Sequence, residues 1–294
     1  MMGSPEFVSA VGTAISDAAG TFHIERATPA SGGCIHRSFI LEGGGRRFFA
    51  KINDRSWLDA FAAESDCLAA LAAAGVRVPA PVCRGELEND AFLVLEYLDL
   101  RGKGSYTALG RDLAALHSVR GERYGWRRDN YIGSTPQRNG LSHSWSGFWR
   151  EQRLLPQLRL AQKTGCSMSL AGKGEQLAAA LPQLLSGHEP AASLLHGDLW
   201  SGNVGFVTGG EPVLLDPAVY YGDRETDLAM TELFGGFTRD FYHAYREAAP
   251  LDSGYAVRKA LYNLYHVLNH ANLFGGGYAA QAETMIDRLL AETR

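Results

Sequence analysis

The chain has 294 residues, 46% hydrophobic and 20% charged, enough apolar material for one large domain or two packed lobes. That composition excludes a disordered, collagenous or coiled-coil protein. With 28 Lys and Arg against 32 Asp and Glu the formal charge is −4, so nucleic acid is not expected as the main partner, because neutralising phosphates takes a basic surface.

The four cysteines, Cys34, Cys67, Cys83 and Cys166, form no CxxC pair and no zinc spacing. They are read as reduced thiols of a cytoplasmic protein. No apolar run reaches the ~18 residues of a membrane span, so no membrane partner is expected. The opening Met-Met-Gly-Ser-Pro-Glu-Phe lacks the basic start and apolar stretch of a signal peptide.

Phe7, Val11, Ile15 and Ala18 recur at helical spacing and predict a helix over 6–20. Residues 24–52 then predict a small antiparallel sheet. Ser31-Gly32-Gly33-Cys34 is a bend, 35–41 a strand, 42–46 a glycine-rich hairpin turn and 47–52 a second strand. The Ala- and Leu-rich stretch 57–74 ends at Gly75 and predicts a helix with a glycine cap. Val78-Pro79-Ala80-Pro81 reads as an extended connector, and 91–98 as a buried strand. Beyond residue 99 helical patterns run at 107–118, 145–163, 174–186, 225–248 and 254–273. One hairpin signal interrupts them, over 204–216 around Thr208-Gly209-Gly210-Glu211. The expected architecture is α+β and bilobal, with a β-rich lobe at 1–98 and a larger, mostly helical lobe at 99–294.

The chemistry concentrates in HGDLWSGN (196–203), between an apolar stretch and the hairpin. Asp198 and Asn203 are five residues apart, and the hairpin's second strand delivers Asp216. An amide oxygen and a carboxylate make a hard-oxygen set suited to Mg²⁺, and a further carboxylate can accept a hydroxyl proton. Protein kinases use the same order and spacing for phosphoryl transfer. That reaction also needs a lid and a cation on the phosphates. Gly32, Gly33 and Cys34 sit where a phosphate-covering loop belongs, because glycine lets backbone N–H groups approach an anion. Lys51 lies inside the apolar run Phe48-Phe49-Ala50-Lys51-Ile52, so it needs a partner or a role. Glu64 falls on the apolar face of the 57–74 helix, with Phe61, Leu68 and Leu71. A carboxylate buried there needs a cation, and Lys51 is the expected one. Glu96 and Leu98 close the strand before Asp99-Leu100-Arg101-Gly102, the expected hinge whose backbone hydrogen-bonds an adenine.

Other candidates carry blander readings. His266 and His270 share a helix face without a third ligand, so helix packing or a polar cleft wall is expected. His117 is read as structural. Arg150, Arg153, Arg159 and Lys163 on one helical segment are read as a solvated face, or else as a substrate dock. Cys34 in the glycine loop is a candidate reactive thiol. Gly197 stands where protein kinases have an arginine, Asp216-Pro217-Ala218 replaces DFG, and Asp227 follows Asp216 too closely for an activation loop. A small-molecule kinase of the kinase-like fold is therefore expected rather than a protein kinase.

Several long runs resemble one family, the fructosamine kinases or ketosamine-3-kinases. These are SGGCI (31–35), IGSTPQRNG (132–140), HGDLWSGN (196–203), DPAVYYGDRETDLAMTELFGGF (216–237) and LYHVLNHANLFGGGY (264–278). The resemblance covers roughly residues 20–285. It implies the bilobal fold of the aminoglycoside phosphotransferases. It also implies ATP-dependent phosphorylation of the sugar O3 of ketosamines, after which the unstable phosphate leaves and frees the amine. By position, Asp198 resembles the base, Asn203 and Asp216 the Mg²⁺ ligands, Lys51 and Glu64 the phosphate-binding pair, and Gly32, Gly33 and Cys34 the phosphate loop. Trp200 is expected to stack on the sugar, and His270 to line the substrate site. Asp223, Glu225 and Asp227 are expected to brace the catalytic loop, and the family makes a redox role for Cys34 worth testing. The implied acceptor is a small ketosamine or a glycated protein lysine, and the expected state a monomer or weak dimer. The rivals are a kinase of the same fold with an aminoglycoside- or choline-type acceptor, and a catalytically silent binding protein.

Overall fold

A computed structural model describes residues 4–30, 35–100, 102–165 and 168–293. The chain forms two compact units. One comprises Met1–Gly104 together with Gly205–Asp216, the other Ser105–Val204 and Pro217–Arg294. The division is therefore discontinuous. A boundary at 98/99 assigns the 204–216 hairpin to the helical lobe, whereas almost all of it groups with the sheet. The cause is tertiary: Leu214 N–H donates to Arg77 O at 3.0 Å, and Phe206 packs against Gly104 so closely that a Cβ there would lie 2.0 Å from its ring.

The first unit opens with helix α1 (Pro5–Ala19), whose N-cap Ser4 accepts from Phe7 N–H and whose first residue is proline. Its sheet runs β1-β2-β3-β5-β4, formed by β1 (Arg26–Pro29), β2 (Arg37–Gly43), β3 (Arg46–Asp54), β4 (Pro81–Leu87) and β5 (Asp90–Glu96). Gly44 and Gly45, both at positive φ (55° and 75°), close the β2–β3 hairpin, as a two-residue turn between twisted strands requires. Helix α2 (Leu58–Ala73) lies between β3 and β4 in sequence. The run over Pro79 to Pro81, expected as a connector only, leads into edge strand β4. Its first residue is Pro81 and a bulge follows before Cys83, an edge being where a strand tolerates proline. Phe7, Val11 and Ile15 of α1 pack with Phe39, Leu41, Phe48, Ala50, Ile52, Phe92 and Val94 from one face of the sheet. Cys67 is buried on α2 and Cys83 half-buried on β4, and burial pushes the Cys83 thiol up to about 11. The hairpin that completes this unit pairs β9 (Val204–Phe206) with β10 (Pro212–Leu214).

The second unit is mostly helical. It contains α3 (Tyr106–Leu116), α4 (Trp145–Phe148), a π-helical turn at Trp149–Leu154, α5 (Leu155–Lys163), α6 (Met168–Leu184), α7 (Glu225–Leu233), α8 (Arg239–Ala248), α9 (Tyr255–Phe274) and α10 (Gly277–Ala291). The helical pattern at 225–248 is broken in two, because Gly235 and Gly236 take positive φ (96° and 76°). Helix α9 is buried along most of its length, packed by α5, α7 and α10. Two short antiparallel pairs frame the loop of interest: β6 (Asn130–Ile132) with β7 (Thr135–Gln137), and β8 (Ser193–Leu195) with β11 (Tyr220–Gly222). Among the described residues no helix is long and apolar enough to cross a membrane.

Candidate active site

In the first unit Lys51 is the organising charge. Strand alternation points Ala50 and Ile52 into the core beneath α1 and turns Lys51 to the opposite face. There its Nζ donates to Glu64 Oε1 at 2.6 Å and to Asp216 Oδ1 at 2.5 Å. Only 7% of Lys51 is exposed. Burial works against its charge, but the two carboxylates outweigh burial and hold the ammonium well above its ordinary range. Burial pushes the Glu64 carboxyl up, Lys51 pulls it back, and Asp216 adds to the rise. Asp216 itself sits at φ +50°, a left-handed conformation that aspartate tolerates better than most residues. Lys51, Glu64 and Asp216 are thus brought together.

Gly32, Gly33 and Cys34 lie outside the described residues, as does Cys166. The chain immediately beyond them is anchored: Asn53 Nδ2 donates to Ile35 O and meets His36 Nδ1, both at 3.0 Å. The His36 ring packs on Trp57 and Phe61. Burial, with the Lys51 charge adding to it, lowers the His36 imidazole to about 4. Neither His36 nor Asn53 stands out in the sequence. At the end of β5, Glu96 is occupied: its carboxylate takes two hydrogen bonds from Arg77, at 2.8 and 2.6 Å, and its N–H donates to Ala80 O. Its side chain therefore holds the strand end. Leu98 lies half-buried just beyond.

In the second unit β8 ends at Leu195 and the catalytic-loop candidate begins. Asp227 near the start of α7 accepts the N–H groups of His196 (2.7 Å) and Gly197 (2.8 Å), and meets His117 Nε2 at 3.1 Å. Burial opposes the Asp227 charge, but the His117 hydrogen bond and the neighbouring donors hold its carboxyl below the usual range. Gly197 takes φ +85°, and a Cβ there would lie 2.1 Å from Ala218 O. This explains why no arginine stands at that position. Asn203 Nδ2 donates to the Asp198 carbonyl at 2.9 Å and to Asp198 Oδ2 at 3.2 Å, which leaves Asn203 Oδ1 as its acceptor end. Of the two expected Mg²⁺ ligands, Asn203 belongs to the second unit and Asp216 to the first, and an amide oxygen and a carboxylate are each a donor of the kind Mg²⁺ prefers.

Trp200 is 37% exposed and meets Phe234 edge-on at 6.1 Å; Phe234 in turn packs on the His270 ring at 4.9 Å. Phe274 (66% exposed) and Tyr278 flank His270 from the other side. The two expected substrate residues thus belong to one aromatic strip. Phe234, Phe274 and Tyr278 escaped sequence reasoning, although each adjoins a Gly-Gly signal.

Of the three expected braces, Asp227 bonds to the 196–203 loop. Asp223 is held by His188 and Tyr262, each at 2.6 Å, and Glu225 by Arg258 at 2.6 and 2.8 Å. Ligand atoms of His188, Asp223 and Glu225 lie within 4.8 Å of one another, but these partners account for the carboxylates as a buried structural knot. His266 on α9 is also structural. Burial, with His270 adding to it, lowers its imidazole to about 3, and its carbonyl meets His270 Nδ1 at 2.8 Å.

The profile of the fructosamine kinase family matches residues 8–292. A "probable ketoamine kinase" of Synechocystis is 47% identical over 277 residues, spanning 92% of each chain. The chloroplastic protein-ribulosamine 3-kinase of Arabidopsis thaliana is 39% identical over 264 residues, 88% of this chain and 81% of that one. A solved structure from Haemophilus somnus, assigned to the fructosamine-3-kinases, superposes with a TM-score of 0.89 at 30% identity, over 95% of this chain and 96% of that one. An aminoglycoside phosphotransferase in ternary complex with AMP-PNP and hygromycin B gives a TM-score of 0.61 at 16% identity, over 96% and 98%. At that identity the likeness speaks for the fold alone.

Proposed function

The chain belongs to the fructosamine kinase family, and from that premise we propose that it transfers the γ-phosphoryl group of ATP to O3 of the sugar of a ketosamine. It is an ATP-dependent ketosamine kinase; the position phosphorylated and the residue roles that follow are our reading. The Lys51 ammonium, aimed by Glu64, binds the α- and β-phosphates, with the backbone at Gly32, Gly33 and Cys34 covering them. Asn203 and Asp216 would hold Mg²⁺, which would neutralise charge on the phosphates. Asp198 accepts or orients the proton of the attacking hydroxyl, and Asn203 fixes the Asp198 carboxylate by its 3.2 Å hydrogen bond. Trp200 and His270 present ring surface to the acceptor sugar. The acceptor is a free ketosamine or a glycated protein lysine, and the expected compartment is the cytoplasm.

The observation that carries this reading is the arrangement of Asp198, tied to Asn203 on a loop whose backbone Asp227 anchors. The test is Mg²⁺-dependent ADP release from ATP with ribulose-lysine, fructose-lysine and a plain sugar. Turnover is expected with the ketosamines only. Asp198→Asn is expected to keep nucleotide binding and to lose two to four orders of magnitude in turnover, roughly the share of a general base. Near-normal turnover in that variant overturns the role of Asp198. Turnover with an aminoglycoside or choline in place of the ketosamines overturns the substrate class.

A further inference from the structure

Arg153 was expected on a solvated helix face with Arg150, Arg159 and Lys163. Those three are exposed; Arg153 is completely buried. The cause is the π-helical turn Trp149–Leu154. Its wider turn rotates each residue less than an α-helix does, so Arg150 and Arg153 no longer share a face. Arginine cannot shed its proton to escape burial, and a buried cation is costly unless compensated. Among the described residues no carboxylate pairs with it. Its guanidinium lies 4.0 Å from the Tyr220 ring centre and 4.8 Å from that of Phe148. Nη1 donates to the carbonyls of Arg138 and Gln152, Nη2 donates to Asn139 Oδ1 at 2.8 Å, and Nε has no partner.

The Asn139 bond opens a relay of buried amides. Asn139 Nδ2 donates to Asn130 Oδ1 at 3.0 Å, and Gln137 Nε2 donates to the same oxygen at 2.8 Å. The relay ends on backbone: Gln137 Nε2 on Ala218 O at 3.1 Å, Asn130 Nδ2 on Val219 O at 2.8 Å. Three consecutive residues, Ala218, Val219 and Tyr220, are therefore held by Arg153 or by amides linked to it. Ala218 is also the surface against which Gly197 packs, and its N–H donates to His196 O at 2.9 Å. Tyr265, which donates to Gln137 Oε1 at 2.8 Å, lies close enough to Asp198 to feel its charge.

We infer that Arg153 is a positioning residue for the phosphoryl transfer: through Asn139, Asn130 and Gln137 it fixes the Ala218–Val219 peptide against which Gly197 sets the Asp198 loop. The inference rests on the role of Asp198 given above. A charged donor at the head of the relay polarises Asn139 and then Asn130, whose oxygen also takes the Gln137 bond, and stiffens the chain. The fork of the guanidinium, which reaches two carbonyls and Asn139 together, is what a lysine lacks.

Three variants test it: Arg153→Lys, Arg153→Met and Gln137→Met, the last removing the link to Ala218 while keeping the cation. In each, kcat for the ketosamine is expected to fall about ten- to a hundred-fold, the scale of a misplaced reacting group. KM for ATP is expected to stay within about two-fold, because the proposed phosphate-binding pair is untouched. Amide exchange is expected to quicken at residues 196–203 in particular. A kcat within about two-fold of the parent in the variants that fold overturns the inference, as does a loss shared equally by kcat and KM for ATP. If neither Arg153 variant folds, Gln137→Met decides alone by the same criteria. If the parent enzyme turns over no ketosamine, the functional reading fails; the exchange measurement still decides the positioning role, and unchanged exchange at Gly197 then refutes it.

Discussion

Gly197 shows how a single missing side chain shapes the loop. Its positive φ and the approach of Ala218 O leave no room for a methyl group. Gly197→Ala is expected to cost about 1–3 kcal/mol of stability through backbone strain, together with a loss of turnover as the following Asp198 is displaced. Chemical denaturation and steady-state kinetics on the purified variant check both parts; unchanged values in both refute the packing argument. Lys51 and Glu64 are the residues whose pairing the sequence states most clearly. A lysine inside an apolar strand run and a glutamate on the apolar face of a helix are two conflicts of opposite sign that resolve each other. Arg153 was illegible for the converse reason. The helical period was assumed through a stretch where the backbone departs from it, and Gln137 and Asn139, though inside a quoted run, carried no periodic signal.

Among the elements, α1 is the piece whose contribution is easiest to measure. It closes the core face of the sheet, and its buried Phe7 meets Phe92 edge-on with ring centres 5.8 Å apart. Phe7→Ala is expected to destabilise the protein by about 3–5 kcal/mol, the range for deleting a buried phenyl group. A loss below about 1 kcal/mol in urea titration would show that the helix docks only loosely. The hairpin β2–β3 and helix α2 were legible from glycine placement and apolar spacing. Strand β4 was not, because two prolines hid it and only an edge position reconciles them with pairing. The break between α7 and α8 was visible as Gly235-Gly236, but amphipathic spacing on both sides masked it.

For the molecule as a whole, pH exposes how the interior is charged. His36 and His266 are held neutral, mainly by burial, with values lowered to about 4 and about 3 from the ordinary 6.5. Below pH 6.5 the unfolded chain binds protons that the folded chain refuses. Stability is therefore complete above that pH and falls as pH drops towards those folded values. Each group contributes up to about 1.4 kcal/mol per pH unit within its window. Unfolding free energies measured between about pH 7 and pH 4.5 should decline. The depressed Asp227 adds a loss of the same sign at the acid end, so a difference isolates the histidine: His266→Gln should show a slope shallower by about 1.4 kcal/mol per pH unit. An unaltered slope rules out His266 as a source. The bilobal α+β class was legible because strand signals stop near residue 99, whereas the return of 205–216 to the first unit was not. That assignment depends on tertiary contacts at Arg77 and Gly104, which no local pattern encodes.

The discontinuity of the first unit also imposes an order of events during synthesis. The sheet and its Lys51 leave the ribosome early, whereas Asp216 follows 165 residues later. At bacterial and eukaryotic elongation rates that interval is roughly 8–33 s, far longer than a hairpin takes to form. Over that interval Glu64 is the one of the two Lys51 partners already made. The second carboxylate arrives only after the whole of the helical unit's first segment, Ser105–Val204, has been made, so the ion cluster is completed by the last stretch of the first unit to be translated.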